Sequence, residues 1–182
     1  MTFCAADFEV PSIRTRVFII GAALGTPLPN EPEKTCKKPQ DWKTIRSAWS
    51  GLPHLIDGGG QTVGAAAEEF AAGSLDAPIA CAVLYNHQCQ GGWRRWKTAP
   101  GKMEWDKPAP TVLCKPSDMW ACRHPDQDRL VSVRELCRVQ TFPDSLRIRG
   151  VLSSQYKQVG NSVPCKLGEA VGRELLKVLE AS

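Results

Sequence analysis

Apolar and polar positions separate the chain into three zones. Near the start, Arg16-Val17-Phe18-Ile19-Ile20 is a short, β-branched apolar run closed by Gly21. A continuous run of this length predicts a buried strand rather than a half-exposed one. Residues 22 to 128 show no sustained period. PLPNEPEKTCKKPQ is turn-rich and cannot continue a helix or a central strand. WKTIRSAWSGLP predicts two helical turns ending at Gly51. VGAAAEEFAAG predicts a short helix, and IACAVLY (79 to 85) is either a strand or a buried helical turn. The last zone, 129 to 182, is far better patterned. Ser132 and Glu135 form a capping-box pair ahead of Val133, Leu136, Cys137 and Gln140 at helical spacing, with Phe142-Pro143-Asp144 as the stop. SSQYKQVG predicts a second helix ending at Gly160. Ser162 is placed to cap a final helix with Pro164 in its first turn. Leu167, Ala170, Val171, Leu175, Val178 and Leu179 give that helix one apolar face.

Composition narrows the class. The 182 residues are 42% hydrophobic and 23% charged, which excludes wholesale disorder. Gly 15 and Pro 14 favour short elements and many loops over a helical bundle. No apolar run approaches the roughly 20 residues of a membrane helix. MTFCAADFEVP offers no basic leader, so the eight scattered Cys are expected as reduced thiols in a cytoplasm.

Several clusters carry possible chemistry. Tyr85 to Met103 contains Arg94, Arg95, Lys97 and Lys102 and no acid, with Trp93 and Trp96 bracketing the arginines. Such a loop suits phosphate neutralisation and base stacking, although a plain solvated basic loop reads equally from composition. Lys34, Lys37, Lys38, Lys43 and Arg46 form a second basic cluster that suits ordinary surface. Cys81/Cys89 and Cys114/Cys122 share a spacing, with His87 nearby, but lack the close Cys-x-x-Cys pairing of a structural zinc site, so no metal is expected. Asp57-Gly58-Gly59-Gly60 has no Walker lysine and reads as a turn. Cys165, in a helix's first turn, sits where the dipole favours a thiolate, yet no His or carboxylate lies close in sequence to activate it.

The two ends then become specific. RLVSVRELCRVQTFPDSLRIRG and SSQYKQVGNSVPCKLGEAVGREL resemble the ninth and tenth blocks of the DNA (cytosine-5) methyltransferases: an Arg-Glu helix ending in Phe-Pro-Asp, then Gln-x-Gly-Asn-Ser/Ala-Val-Pro. CAADFEVPSIRTRVFIIG resembles the eighth block, commonly Ala-Ala-Asp-Phe-Gly-Val-Pro-Gln-x-Arg-x-Arg and a strand. WDKPAPTV resembles the segment just before the ninth block. All stand in the family order, with the middle as the variable target-recognition region. The family's Phe-x-Gly-x-Gly cofactor loop, Pro-Cys-Gln nucleophile and Glu-Asn-Val acid do not occur. Pro164-Cys165-Lys166 lies inside the tenth block, so Cys165 is not expected to be the methylating nucleophile.

The resemblance implies an α/β fold: the edge strand and terminal helices of a Rossmann-like methyltransferase domain plus a small, irregular, strand-containing recognition lobe. It divides the chain into 1–21 (eighth-block strand), 22–128 (target recognition) and 129–182 (ninth and tenth blocks). It implies the recognition and active-site-completing part of a cytosine-5 methyltransferase, in a restriction–modification setting. Double-stranded DNA and a larger subunit bearing the cofactor loop and catalytic Cys would be its partners, and S-adenosylmethionine would be shared between the two chains. A DNA-binding module without catalytic duty, or a decayed fragment, are the competing readings.

Residue by residue, the resemblance assigns Arg16 to the target cytosine's carbonyl oxygen and Arg14 to positioning. It assigns Asn161 and Ser162 to the cofactor, and Thr111 to a backbone phosphate beside the extruded base. Trp93, Arg94, Arg95 and Lys97 become DNA contacts, and Arg134 and Glu135 take structural work. Ser12 stands where the pattern has Gln, which removes that side chain's contact near the catalytic loop.

Overall fold

A computed structural model describes residues 1–52, 102–114, 123–126 and 131–180, the side chains of Leu152 and Ser153 apart. Strand β1 (Thr2–Cys4) pairs antiparallel with β2 (Thr15–Val17), matching Thr2 with Val17, Phe3 with Arg16 and Cys4 with Thr15. Between them lies a 3-10 turn, Ala5–Phe8. A second 3-10 turn, Pro39–Asp41, and helices α1 (Ile45–Ala48), α2 (Val133–Val139), α3 (Leu152–Asn161) and α4 (Cys165–Glu180) complete the described elements.

The strand predicted over 16–20, β2, is shorter and more open than its apolar run predicts. Arg14 is buried and Arg16, Phe18 and Ile20 are half-buried, while Val17 and Ile19 are 68% and 96% exposed. This is the period of a one-sided strand: β1 covers one edge, and nothing described covers the outward face. Phe18 and Ile20 turn inward onto a small core of Phe3, Ala5, Phe8, Val10, Leu167 and Val171, which joins the N-terminal strands to α4. Phe3 meets Phe8 edge to face with ring centres 5.7 Å apart.

The larger core gathers Ile45 and Trp49 with Met103, Ala109, Val112, Val131, Val133, Leu136, Val139, Tyr156 and Val159. Thr44 and Ser47 cap α1 reciprocally, and the helix is a single turn rather than two, with Gly51 beyond it at φ 76°. Trp49 Nε1 donates to the Glu135 carbonyl at 3.0 Å, so a buried indole keeps its polar partner. Segment 105–107 lies beside α1 through Ile45 N to Lys107 O (3.0 Å) and Arg46 N to Trp105 O (2.9 Å).

In the C-terminal zone the Ser132–Glu135 capping box forms as predicted: Ser132 Oγ accepts from Glu135 N at 3.1 Å, and Glu135 Oε2 accepts from Ser132 N at 2.6 Å. Three details differ from the sequence reading. Helix α2 ends at Val139, before Phe142-Pro143-Asp144, because Thr141 turns to φ 58°. Gly160 lies within the last turn of α3, which runs on to Asn161. Ser162 does not cap α4, since its hydroxyl donates backward to Val159 O at 2.7 Å. The open N–H groups of α4 are met from α2's end instead: Cys165 N by Gln140 O (3.1 Å) and Lys166 N by Thr141 Oγ1 (3.1 Å). The apolar face of α4 is buried at Leu167 and Val171, but Leu175 and Leu179 are exposed. No described helix is long and apolar enough to cross a membrane. The two predicted elements at 63–73 and 79–85, and the Asp57–Gly60 turn, lie outside the described residues.

Candidate functional site

The site is organised by one buried arginine. Arg14 follows the turn in which Ala5 N meets Arg14 O at 2.8 Å, and its side chain points inward from β2's approach. Nη1 donates to Val112 O. Nη2 donates to Gly160 O and, at 3.1 Å, to Ser162 O. A guanidinium suits this work because its planar fork addresses several carbonyls while staying charged. The result joins three stretches distant in sequence: the eighth-block segment, the Thr111-Val112 segment and the Gly160–Ser162 corner between α3 and α4.

Around this joint the backbones are close. A Cβ on Gly160 would stand 2.5 Å from Leu113 O and 2.5 Å from Cys114 Cα, so only glycine lets residues 113–114 pass. Ser12 pairs in parallel with Ala109 and donates its hydroxyl to Pro110 O at 3.2 Å. Ser12, in place of the Gln of the resembled pattern, is thus spent on the Thr111 segment. Gln140 is fully buried and donates to Val159 O at 3.0 Å. Its Oε1, like Arg14 Nε, has no hydrogen-bond partner among the described residues.

The nominated residues fall into three groups. Arg14, Thr111, Asn161 and Ser162 are brought together, because Arg14 binds the neighbours of Thr111 and Asn161 and binds Ser162 itself. Thr111 is half-buried and Asn161 is exposed at the end of α3. Arg16 belongs to the same region by register: residues two apart on a strand share a face. Its guanidinium's only described hydrogen bond is to the Thr15 carbonyl at 2.8 Å. Burial pushes the Arg16 guanidinium down from its ordinary value, and no carboxylate offsets that cost among the described residues. Trp93, Arg94, Arg95 and Lys97 lie outside the described residues, as do Cys81, Cys89 and His87.

Cys165 sits at the start of α4, yet burial pushes its thiol up from the ordinary value. Cys137 is pushed up to about 12, first by burial. Neither thiol has the lowered value of an activated nucleophile. Arg134 takes a structural place, with Nη1 on Asp144 O at 2.7 Å and Nη2 3.0 Å from Asp144 Oδ1. Arg138 binds the same carboxylate.

Gln140, read from the sequence only as a position of the helical repeat, and Thr141, which was not singled out, contribute to the joint. Gln140 carried a signal: a polar side chain at an apolar position of the helical repeat, which packing tolerates only with a hydrogen-bond partner. Thr141 carried none.

Glu9 adds a second departure from the resembled pattern. It stands where the eighth block commonly has Gly, and it takes φ 58°, the left-handed conformation that glycine adopts freely. Its carboxylate pairs with Lys166 of α4, and that contact holds the Glu9 carboxyl below its ordinary value.

Comparison with known proteins places these features. The profile described as C-5 cytosine-specific DNA methylase matches residues 2–177. The chain is 40% identical over 90 residues to DNA (cytosine-5)-methyltransferase 1A of Oryza sativa subsp. japonica, covering 48% of this chain and 6% of that protein. It is 41% identical over 80 residues to the Type II methyltransferase M.Eco47II of Escherichia coli, covering 43% of this chain and 19% of that protein. The chain thus spans a minor fraction of the curated relatives it matches. A crystal structure described as a DNA modification methyltransferase encoded within an E. coli prophage superposes with TM-score 0.66 at 22% identity, over 99% of this chain and 60% of that one. The mixed α/β architecture of the chain matches that part of the neighbour's fold.

Proposed function

Since the chain belongs to the C-5 cytosine-specific DNA methylase family, we propose that it supplies the target-recognition and active-site-completing part of a DNA (cytosine-5)-methyltransferase. The 182 residues contain no Pro-Cys-Gln nucleophile segment and no Phe-x-Gly-x-Gly cofactor loop. The reactive thiolate therefore comes from residues outside them, carried on a larger partner subunit. Likeness to Type II methyltransferases supports a restriction–modification setting for such an enzyme.

The observation that carries this reading is the contrast between the two eighth-block arginines. Arg14 spends its fork on three backbone carbonyls and fixes the joint. Arg16 is partly desolvated and unpaired by any described carboxylate, which is costly for structure alone and useful for an incoming ligand. The target base must leave the duplex before its ring is reached. Arg16 then donates to the cytosine carbonyl oxygen as charge develops on the ring during thiolate addition at carbon six. Thr111, carried by the segment that Arg14 holds, contacts the adjacent backbone phosphate.

S-adenosylmethionine supplies the methyl group when bound. The residues at the α3–α4 corner fit its amino-acid moiety: Asn161 presents an exposed amide with no described partner, while Ser162 has its hydroxyl proton committed to Val159 O. Asn161 accordingly makes the polar contact, and Ser162 sets the turn from which it is made.

The test mixes the purified chain with a polypeptide bearing the Pro-Cys-Gln and cofactor-loop blocks, labelled cofactor and duplex DNA. Methyl incorporation is expected in the mixture alone. Methylation by this chain unaided overturns the proposal, and so does a mixture in which no label reaches DNA. Duplex binding by this chain with no effect on methylation would give the binding-module reading instead.

A further inference from the structure

From Ser145 to Gly168 the chain carries Arg147, Arg149, Lys157 and Lys166 and no Asp or Glu. Lys166 is paired with Glu9. The other three are exposed, and none has a described ion pair or side-chain hydrogen bond. The acid that precedes this stretch in sequence, Asp144, is already held by Arg134 and Arg138.

The other basic cluster behaves differently. Lys34 binds Asp7 at 2.8 Å, Lys37 binds Glu33 at 3.0 Å and Arg46 binds Asp106 at 2.7 Å. Three of that cluster's five cations are thus paired, Lys38 and Lys43 being the exceptions among the described contacts. Of Arg147, Arg149 and Lys157 none is.

The uncompensated cations are also held in place. Leu146 N closes a turn on Pro143 O at 3.0 Å. At the other end, Gln158 Nε2 donates to Arg149 O at 2.9 Å and Gln155 Nε2 donates to Gly150 O at 2.8 Å. The loop is thereby folded onto α3, whose exposed arc carries Lys157 beside Gln158. Cations on a tethered loop lose less entropy on binding than cations on a free one.

We propose that Arg147, Arg149 and Lys157 form a backbone-contacting surface for duplex DNA, a phosphate clamp made of residues other than those nominated above for DNA contact. This rests on the DNA reading above. Exposed guanidinium and ammonium groups with no protein anion nearby take phosphate at the cost of displaced counterions, and carry no sequence preference.

The experiment measures binding of a 30-base-pair duplex by the reconstituted enzyme across a salt series. The variant is R147Q/R149Q/K157Q, with K34Q/K37Q as the control. Each lost phosphate contact reduces the slope of log affinity against log salt by about 0.9. Three contacts give about 2.7, so between 0.05 and 0.2 M salt the parent loses on the order of 40-fold more affinity than the variant. R149Q alone should reduce the slope by about 0.9. A parent that binds with the same slope as the triple variant overturns the clamp, and so does an equal change in K34Q/K37Q. A parent that fails to bind any duplex overturns the DNA reading itself.

Discussion

The guanidinium of Arg14 is bound to the carbonyl of Gly160, 146 residues further along the chain. That contact ties the turn after β1 to the corner between α3 and α4. With Val112 O and Ser162 O on the same fork, it makes one side chain the meeting point of the eighth-block, Thr111 and tenth-block segments. Both conformational economy and the placement of Arg16, Thr111 and Asn161 depend on it.

Arg14→Ala should therefore be among the most destabilising changes in the chain. It leaves three carbonyls without their donor, each worth about 1–3 kcal/mol when buried. A loss of at least about 3 kcal/mol is expected, a large share of an ordinary domain's stability. Arg14→Lys should recover part of it, because an ammonium keeps the charge but not the fork. Urea midpoints of the two variants check this. A midpoint unchanged in Arg14→Ala would remove the joint from the account.

Two glycines in helices should respond oppositely to alanine. Gly160→Ala drives a Cβ into backbone atoms of Leu113 and Cys114, which cannot rotate away. Overpacking of that kind costs about 1–3 kcal/mol, more than the roughly 1 kcal/mol gained in helix propensity. Gly172, within α4, has nothing within 4 Å of its missing Cβ. Gly172→Ala should stabilise by up to about 1 kcal/mol. Thermal midpoints moving down for the first and up for the second bear this out.

Gly160 also shows what the sequence made legible. The sequence marked it as a helix end within the tenth-block pattern, but not that a backbone passes against it, because that backbone is 46 residues earlier and set by Arg14. The Ser132–Glu135 cap was legible because both partners lie within one turn. The cap of α4 was not: its donors are met by Gln140 and Thr141, and local reasoning assigned Ser162. The strand at 16–20 failed differently. Its apolar run implies cover on both faces, while the described residues cover one, leaving Val17 and Ile19 open. Arg14 could be nominated from its motif, yet the burial of a full guanidinium among carbonyls follows only from three segments meeting.

Asp144 links acid stability to the ninth-block helix. Its bond to Arg138, then the charges of Arg134 and Arg138, hold the carboxyl below its ordinary value against a smaller opposing effect of burial. A lowered folded value stabilises at pH above the unfolded value of about 4 and is lost as pH falls through the folded one. The carboxylate is 44% exposed, so solvent screening limits the gain to about 1 kcal/mol. Asp144→Asn should cost that much at pH 7, with the difference from the parent vanishing as pH drops below 4. Unfolding free energies from pH 7 to pH 2 test it, and a gap that persists at low pH would contradict the ion-pair origin.

Arg16 separates chemistry from architecture. Unlike Arg14 it holds no distant carbonyl among the described residues, so Arg16→Ala should leave the urea midpoint nearly unmoved. If its fork meets the cytosine carbonyl oxygen as charge develops, losing it should lower kcat of the reconstituted enzyme by about 10²–10³, the range for one preorganised donor to a developing anion. KM for DNA should change far less, because the contact strengthens in the transition state. Arg16→Lys should fall between, retaining charge without the planar pair of donors. A kcat within twofold of the parent in Arg16→Ala would assign the half-buried guanidinium to the strand edge. A parallel loss of stability would show that Arg16 shares the fixing role of Arg14 instead of using the place which Arg14 prepares for it.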